Sequence, residues 1–203
     1  TCNMAEIPLF PLPLVLFPGG RLPLQIIETR YLDMLTACMR SNSGFGVVMI
    51  REGQPMLNHR DEQLPTIAFT GTLATLVDFD QGKTGTLDIL IEGTRKFVIR
   101  DQYEQTDRLM MAQIEYLPTE ALAVVPEDKQ HLVSLLQTLL EHEAVQSLNL
   151  VIDFLDATDV GGRLTELLPL PNLFKQRMLE MKNPLARLAD LETLIIRMQD
   201  SQS

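Results

Sequence analysis

Three groupings in this 203-residue chain have residue types that could do chemistry, and each fails at the position its chemistry needs most. Gly82-Lys83-Thr84 matches the end of a phosphate-binding loop, but Val77 stands where the loop needs a glycine five residues before Gly82. The residues after Thr84 also read as a strand, whereas a phosphate loop must open onto the positive end of a helix. His142-Glu143 begins a zinc-hydrolase motif whose second imidazole position is held by Gln146. His131 and His142 would lie about three helical turns apart, roughly 16 Å, too far to share one ion. Ser41, Ser43, Ser134 and Ser147 lack the Gly-x-Ser-x-Gly elbow and the adjacent base that make a serine nucleophilic. The expectation is a non-catalytic protein that uses no cofactor and no metal.

Residues suited to binding remain. Glu28, Arg30, Tyr31 and Arg95 are polar groups that would serve either a recognition groove or local packing, with Glu28 pairing with an arginine and Tyr31 filling the joint between a helix and a sheet. Phe10, Phe17, Phe45, Phe69, Phe79 and ten methionines supply adaptable apolar surface, which either fills a core or tolerates varied partners.

The elements that position these groups are set by the segment Ile7–Tyr31. It holds Pro8, Pro11, Pro13, Pro18 and Pro23 in an otherwise apolar run. Proline removes a backbone donor and fixes φ, so regular helix is excluded and the chain is extended, at sheet edges or in a packed loop, with Pro18-Gly19-Gly20 as a turn. Thr29 is expected to cap a helix that carries Tyr31, Leu32, Leu35, Cys38 and Met39 at helical spacing and stops at Ser41-Asn42-Ser43-Gly44. Strands are expected at 45–50, 66–79, 86–92, 95–100 and 109–117, with Gly71 as a bulge or bend in the second. Leu87, Ile89 and Ile91 alternate with Asp88, Leu90 and Glu92, so one face is buried. Residues 80–85 read as a hairpin loop.

After Pro118 the pattern turns helical. Pro126 opens a helix to about Val145 with an apolar stripe of Leu132, Val133, Leu136, Leu139 and Leu140. A second helix is expected over 148–157, a break at Gly161-Gly162, and a short helix over 163–168. Asn172 is read as the cap of a helix to Met181. Asn183 with Pro184 starts the last one, whose Leu188, Leu191, Ile195 and Met198 face a core. The fold class is therefore α+β: a twisted β domain with one helix over residues 1–118, then a small helical domain over 119–203.

Acidic residues number 27 against 17 basic, for a formal charge of −10. The excess is spread over both parts, so neither has the basic stripe that phosphate backbones or anionic lipid surfaces require. No apolar run approaches the ~20 residues of a membrane span. The start lacks a basic n-region before an apolar stretch, and a cytoplasmic location is the expectation. Cys2 and Cys38 do not form a disulfide framework in a chain of this size.

Several segments in order carry a resemblance: the Leu9-Phe10-Pro11-Leu12 start, the Pro18-Gly19 turn, Glu28-Thr29-Arg30-Tyr31, Gly44–Val48, Gly71–Leu76, Ile91–Phe97 and Lys175–Glu180. Together they resemble the amino-terminal, substrate-binding domain of the ATP-dependent protease Lon, over nearly the whole chain. Thr29 departs from that family's usual proline. The resemblance implies a PUA-like barrel followed by helices, and a free-standing version without the ATPase and Ser-Lys protease domains. It implies non-catalytic recognition of unfolded or marked polypeptide segments, by an adaptor that presents clients to a separate protease or a decoy that competes for them; the acidic charge argues against nucleic acid and membrane as partners. Any peptidase label would then follow from family membership alone. The candidate peptide-binding residues are Phe17, Arg21, Glu28, Arg30, Tyr31, Phe45 and Arg95, at an exposed strand edge or a groove between the two domains. The other class is a small-ligand or RNA-binding PUA-like module.

Overall fold

The computed structural model describes residues 3–203, so Cys2 and any bond to it lie outside the described residues. Cys38 is buried and free. The chain divides into two compact units, one ending at Pro118 and one starting at Thr119.

The first unit is built on strands β1 (Met4–Leu12), β2 (Arg21–Ile26), β3 (Phe45–Glu52), β4 (Thr66–Ile67), β5 (Thr70–Gln81), β6 (Leu87–Glu104) and β7 (Met110–Tyr116), with helix α1 (Thr29–Ser41) between β2 and β3. The sheet runs β1-β7-β6-β5-β3-β4 and is mostly antiparallel; a parallel pairing of β1 with β3 joins its ends, so that five strands form a closed ring. β2 lies against β6 alone.

The prolines fit by one-sided pairing. β1 exchanges partners along its length: Met4–Pro8 bond to β7 and Leu9–Leu12 bond to β3. Each half is thus bonded on one side, which leaves a side where the N–H that Pro8 and Pro11 lack is not needed. The edge position expected of the whole segment holds for Pro23 in β2, whereas β1 belongs to the ring. The Pro18-Gly19-Gly20 turn closes with Gly20 N–H donating to Phe17 O, and it clamps β6 through Gly19 N–H to Gly93 O at 2.8 Å.

Two apolar clusters hold the unit. One gathers Phe10, Leu12, Tyr31, Leu35, Phe45 and Ile91; the other gathers Ile7, Leu9, Val48, Phe97, Ile99 and Ile114. Odd-numbered β6 residues serve both because Thr94 is an extra residue opposite the Leu73–Ala74 step, and the bulge turns the strand over. One strand with a bulge therefore replaces the two strands expected at 86–92 and 95–100. The expected 66–79 strand is broken instead. Ala68 N–H donates to Met49 O while Phe69 O accepts from Ile99 N–H, so the chain crosses from β3 to β6 at that point.

Gly71 is no bulge, since it pairs regularly with Phe97. Its hydrogen is required by space: a Cβ there would lie 2.6 Å from both Val47 O and Val48 Cγ1. Gly46 is the same case, with a Cβ 2.6 Å from Phe97 Cζ. The Phe97 ring sits against two bare backbones.

Five α helices occur in the second unit: α2 (Gln130–Leu139), α3 (Glu143–Gln146), α4 (Ala157–Leu167), α5 (Asn172–Glu180) and α6 (Pro184–Asp200). The helix expected from Pro126 to Val145 is divided. A one-turn 3-10 helix leads into α2, and His142 adopts an extended conformation whose Nδ1 accepts from Ala144 N–H to start α3. No helix covers 148–156; Asp156 instead bridges to Val124 and caps α4 through Thr158 N–H. Gly161 and Gly162 lie buried inside α4 rather than breaking it, and Gly161 lets Arg187 pack close, since a Cβ would sit 3.3 Å from its Cδ. Pro171, not Asn172, holds the cap position of α5, while Asn183 caps α6 as its sequence suggests, accepting from Leu185 and Ala186 N–H. Arg187 is buried and forks onto Glu120 at 2.8 and 2.6 Å, with its remaining donors on Met178 O and Met181 O.

Candidate functional site

The first unit has a groove of about 690 Å³ where its ring of strands is incomplete. At Gly46, β3 is bonded to Leu9 of β1 on one side and Leu73 of β5 on the other. Upstream of Phe45 the chain leaves this position: Asn42, in the left-handed conformation favoured at helix ends, turns it back into α1. The two flanking strands continue without it. Ala5–Pro8 are bonded to β7 only, and Thr75–Gln81 to β6 only. The gap between them follows from the ladder spacing, since β1 and β5 are two steps of ~4.8 Å apart where both hold β3.

Ile7, Leu35, Phe45, Leu73 and Leu76 make the apolar lining, with Cys38, Met39, Val77 and Phe79 around it. Val77 is 40% and Phe79 55% exposed. Cys38 donates to Gly44 O, and burial pushes its thiol pKa up against the lowering effect of Ser43. Glu6 accepts from the Tyr103 hydroxyl, which raises the Tyr103 pKa.

The residues singled out in the sequence are divided by the structure. Glu28, Arg30 and Tyr31 come together at the start of α1. Glu28 is the cap residue and Thr29 already helical; the Glu28 carboxylate binds Arg30 Nε at 2.9 Å instead of the helix end. Arg30 is buried, donates to Arg108 O and lies over the Tyr31 ring. Tyr31 stacks on Phe10 at 4.2 Å, and Phe10 reaches Phe45. Burial, chiefly, pushes the Tyr31 pKa up to about 12. Phe45 is 1% exposed and ends at the groove wall, while Phe17 is a core residue behind the Gly19 turn. Arg21 pairs with Glu92 across β2 and β6, and Arg95 lies over Tyr116, so neither joins the cluster. Phe79, one of the apolar residues singled out in the sequence, lines the groove, whereas Thr75 and Val77 were missed. Alternation in β5 was the available signal, but an extra residue at Val77, opposite Ile91–Leu90, obscures it.

Beside Tyr31 is a crevice of about 110 Å³ lined by Phe10, Ile26, Ile27 and Met56. The catalytic motifs have structural settings. Gly82-Lys83-Thr84 lies in the β5–β6 connection and runs into a strand. His131 binds Glu192 at 2.8 Å, and His142 caps α3. Among the described residues no helix is long and apolar enough to cross a membrane.

Residues 6–197 match the model of the ATP-dependent protease La (LON) substrate-binding domain. A crystal structure of a Lon N-terminal domain protein from Xanthomonas campestris is similar, with TM-score 0.73 and 28% identity over 93% of this chain and 98% of that one. The N-terminal domain of the Mycobacterium avium complex Lon protease shares the fold, with TM-score 0.58 and 15% identity over 92% and 96%. No curated protein sequence matches.

Proposed function

Because the chain belongs to the family of ATP-dependent protease La (LON) substrate-binding domains, matched over residues 6–197, we propose that it is a non-catalytic module that recognises unfolded or marked polypeptide segments. Its first unit is a PUA-like barrel and its second a small helical domain. In the cytoplasm it acts as an adaptor that holds clients for a separate protease. The observation that carries the reading is the groove between Ala5–Pro8 and Thr75–Phe79: two strand edges that each lack a partner, over an apolar floor. An extended polypeptide satisfies such edges with its main chain, whatever its side chains, and an apolar floor rewards segments that a folded client would bury. The small-ligand reading is weaker, since the 110 Å³ crevice beside Tyr31 is well below the ~300 Å³ of ordinary ligand pockets.

The test is anisotropy of a fluorescent, permanently unfolded polypeptide without ATP, with cleavage followed in parallel. Saturable binding without cleavage is expected. Charges at Phe17 or Phe45 would unfold the protein, because both are core residues; Val77→Lys reaches the groove from an exposed position and is expected to weaken binding at least tenfold with the circular dichroism unchanged. Unaltered binding in that variant would remove the groove from the proposal, and cleavage that survives repurification would overturn the non-catalytic reading.

A further inference from the structure

We infer that the groove takes an extended segment that continues β3 as an added strand, parallel to β1 and antiparallel to β5, and that it prefers apolar segments carrying cationic rather than acidic residues. This rests on the polypeptide-binding reading above. Its direction follows from the existing ladder. β3 runs parallel to β1 through Leu9↔Gly46 and antiparallel to β5 through Gly46↔Leu73. Extended upstream, that register sets the missing strand beside Ile7, Glu6 and Ala5 on one bank and Thr75, Leu76 and Val77 on the other. The room is for about four to five residues, at ~3.3 Å each.

Charge supplies the preference. The groove's ionisable side chains include two carboxylates, Glu6 on the β1 bank and Asp78 on the β5 bank, and no lysine, arginine or histidine. Among the described residues neither carboxylate has an ion-pair partner: Glu6 accepts from Tyr103, and Asp78 accepts from Phe79 N–H. An added strand points alternate side chains at the apolar floor and at the open rim. In this register Glu6 shares a sheet face with Leu76 while Asp78, past the extra residue Val77, lies on the other, so a lysine or arginine on either side of the added strand would meet one carboxylate, whereas acidic residues would be repelled. The occupant is therefore an extended apolar segment whose charged residues are basic.

Two labelled proline-free nonapeptides test this, identical at the apolar positions and carrying either lysine or glutamate between them, together with a lysine peptide N-methylated at alternate amides. With the intact protein at low salt, the lysine peptide is expected to bind about tenfold tighter than the glutamate peptide, the scale of two exposed charge pairs, and the gap is expected to shrink at 300 mM salt. Glu6→Gln with Asp78→Asn is expected to remove most of that preference. N-methylation is expected to abolish binding. Equal binding of the two charged peptides overturns the cationic preference, and undiminished binding of the N-methylated peptide overturns strand addition. In both cases an unfolded polypeptide that still binds leaves the broader function standing. Failure of that polypeptide to bind would instead sink the function itself.

Discussion

Tyr31 turns the packing at the start of α1 into a measurable titration. Its phenol is held neutral by burial, with a pKa raised from the usual 10.0 to about 12. The folded value exceeds the unfolded one, so this stability is fully present below pH 10 and is lost as pH rises through about 12. A near-ultraviolet titration of the protein minus that of Tyr31→Phe is expected to show one phenol ionising near pH 12, together with unfolding. Ionisation near pH 10 in the folded state would contradict its contact with Phe10. What could be read at this scale depended on distance along the chain. Asn183 was legible as a cap because its partners are Leu185 and Ala186, two and three residues on. Glu120 and Arg187 were not, because their pair joins residues far apart in sequence and neither has a local pattern around it. Phe17 and Phe45 failed as surface candidates for a simple reason: residue type does not say which aromatic faces out.

At the scale of elements, the close seat of Phe97 against Gly46 and Gly71 makes the crossing of β1, β3 and β5 intolerant of added atoms. Gly46→Ala is expected to cost about 1–3 kcal/mol, read as a lower urea midpoint at unchanged slope. A neutral effect would mean that the ring can retreat. Strand positions were legible from alternation and from proline. The bulges at Thr94 and Val77 were not, because an extra residue shows only against its partner strand. The helix expected at 148–157 failed for a related cause: Val124 lies close enough to hold Asp156 extended, and that contact outweighs local helical spacing. The Gly161-Gly162 pair misled in the opposite way, since glycine inside a helix is tolerated where a neighbour such as Arg187 needs the space. The groove was legible only in outline. Its walls were expected as strands, but the gap between them exists because Asn42 turns the chain aside before β3.

For the whole molecule, the net charge of −10 sets which partners can approach. Mobility-shift assays with single-stranded RNA at physiological salt are expected to show no complex, whereas the lysine peptide binds under the same conditions. A shift that weakened steeply with salt would move weight to the nucleic-acid reading. The family could be read from ordered motifs spread along the chain, because each marks a turn or close packing that the fold needs. The groove could not, because its lining is gathered from positions as far apart as 6 and 78.

The partner exchange along β1 also bears on how the protein is born. Met4 pairs with Glu115, so the first strand of this unit to be made waits for the last one, roughly 5–20 s at ordinary rates of synthesis. Throughout that delay Ile7 is without its partner strand, and Leu9, Phe10 and Leu12 are without theirs until β3 has been made. Pro8 and Pro11 interrupt them with positions that cannot donate to a neighbouring chain, which makes the nascent segment a poor template for aggregation. The residues that mark this sequence most plainly thus guard it before there is any fold to hold together.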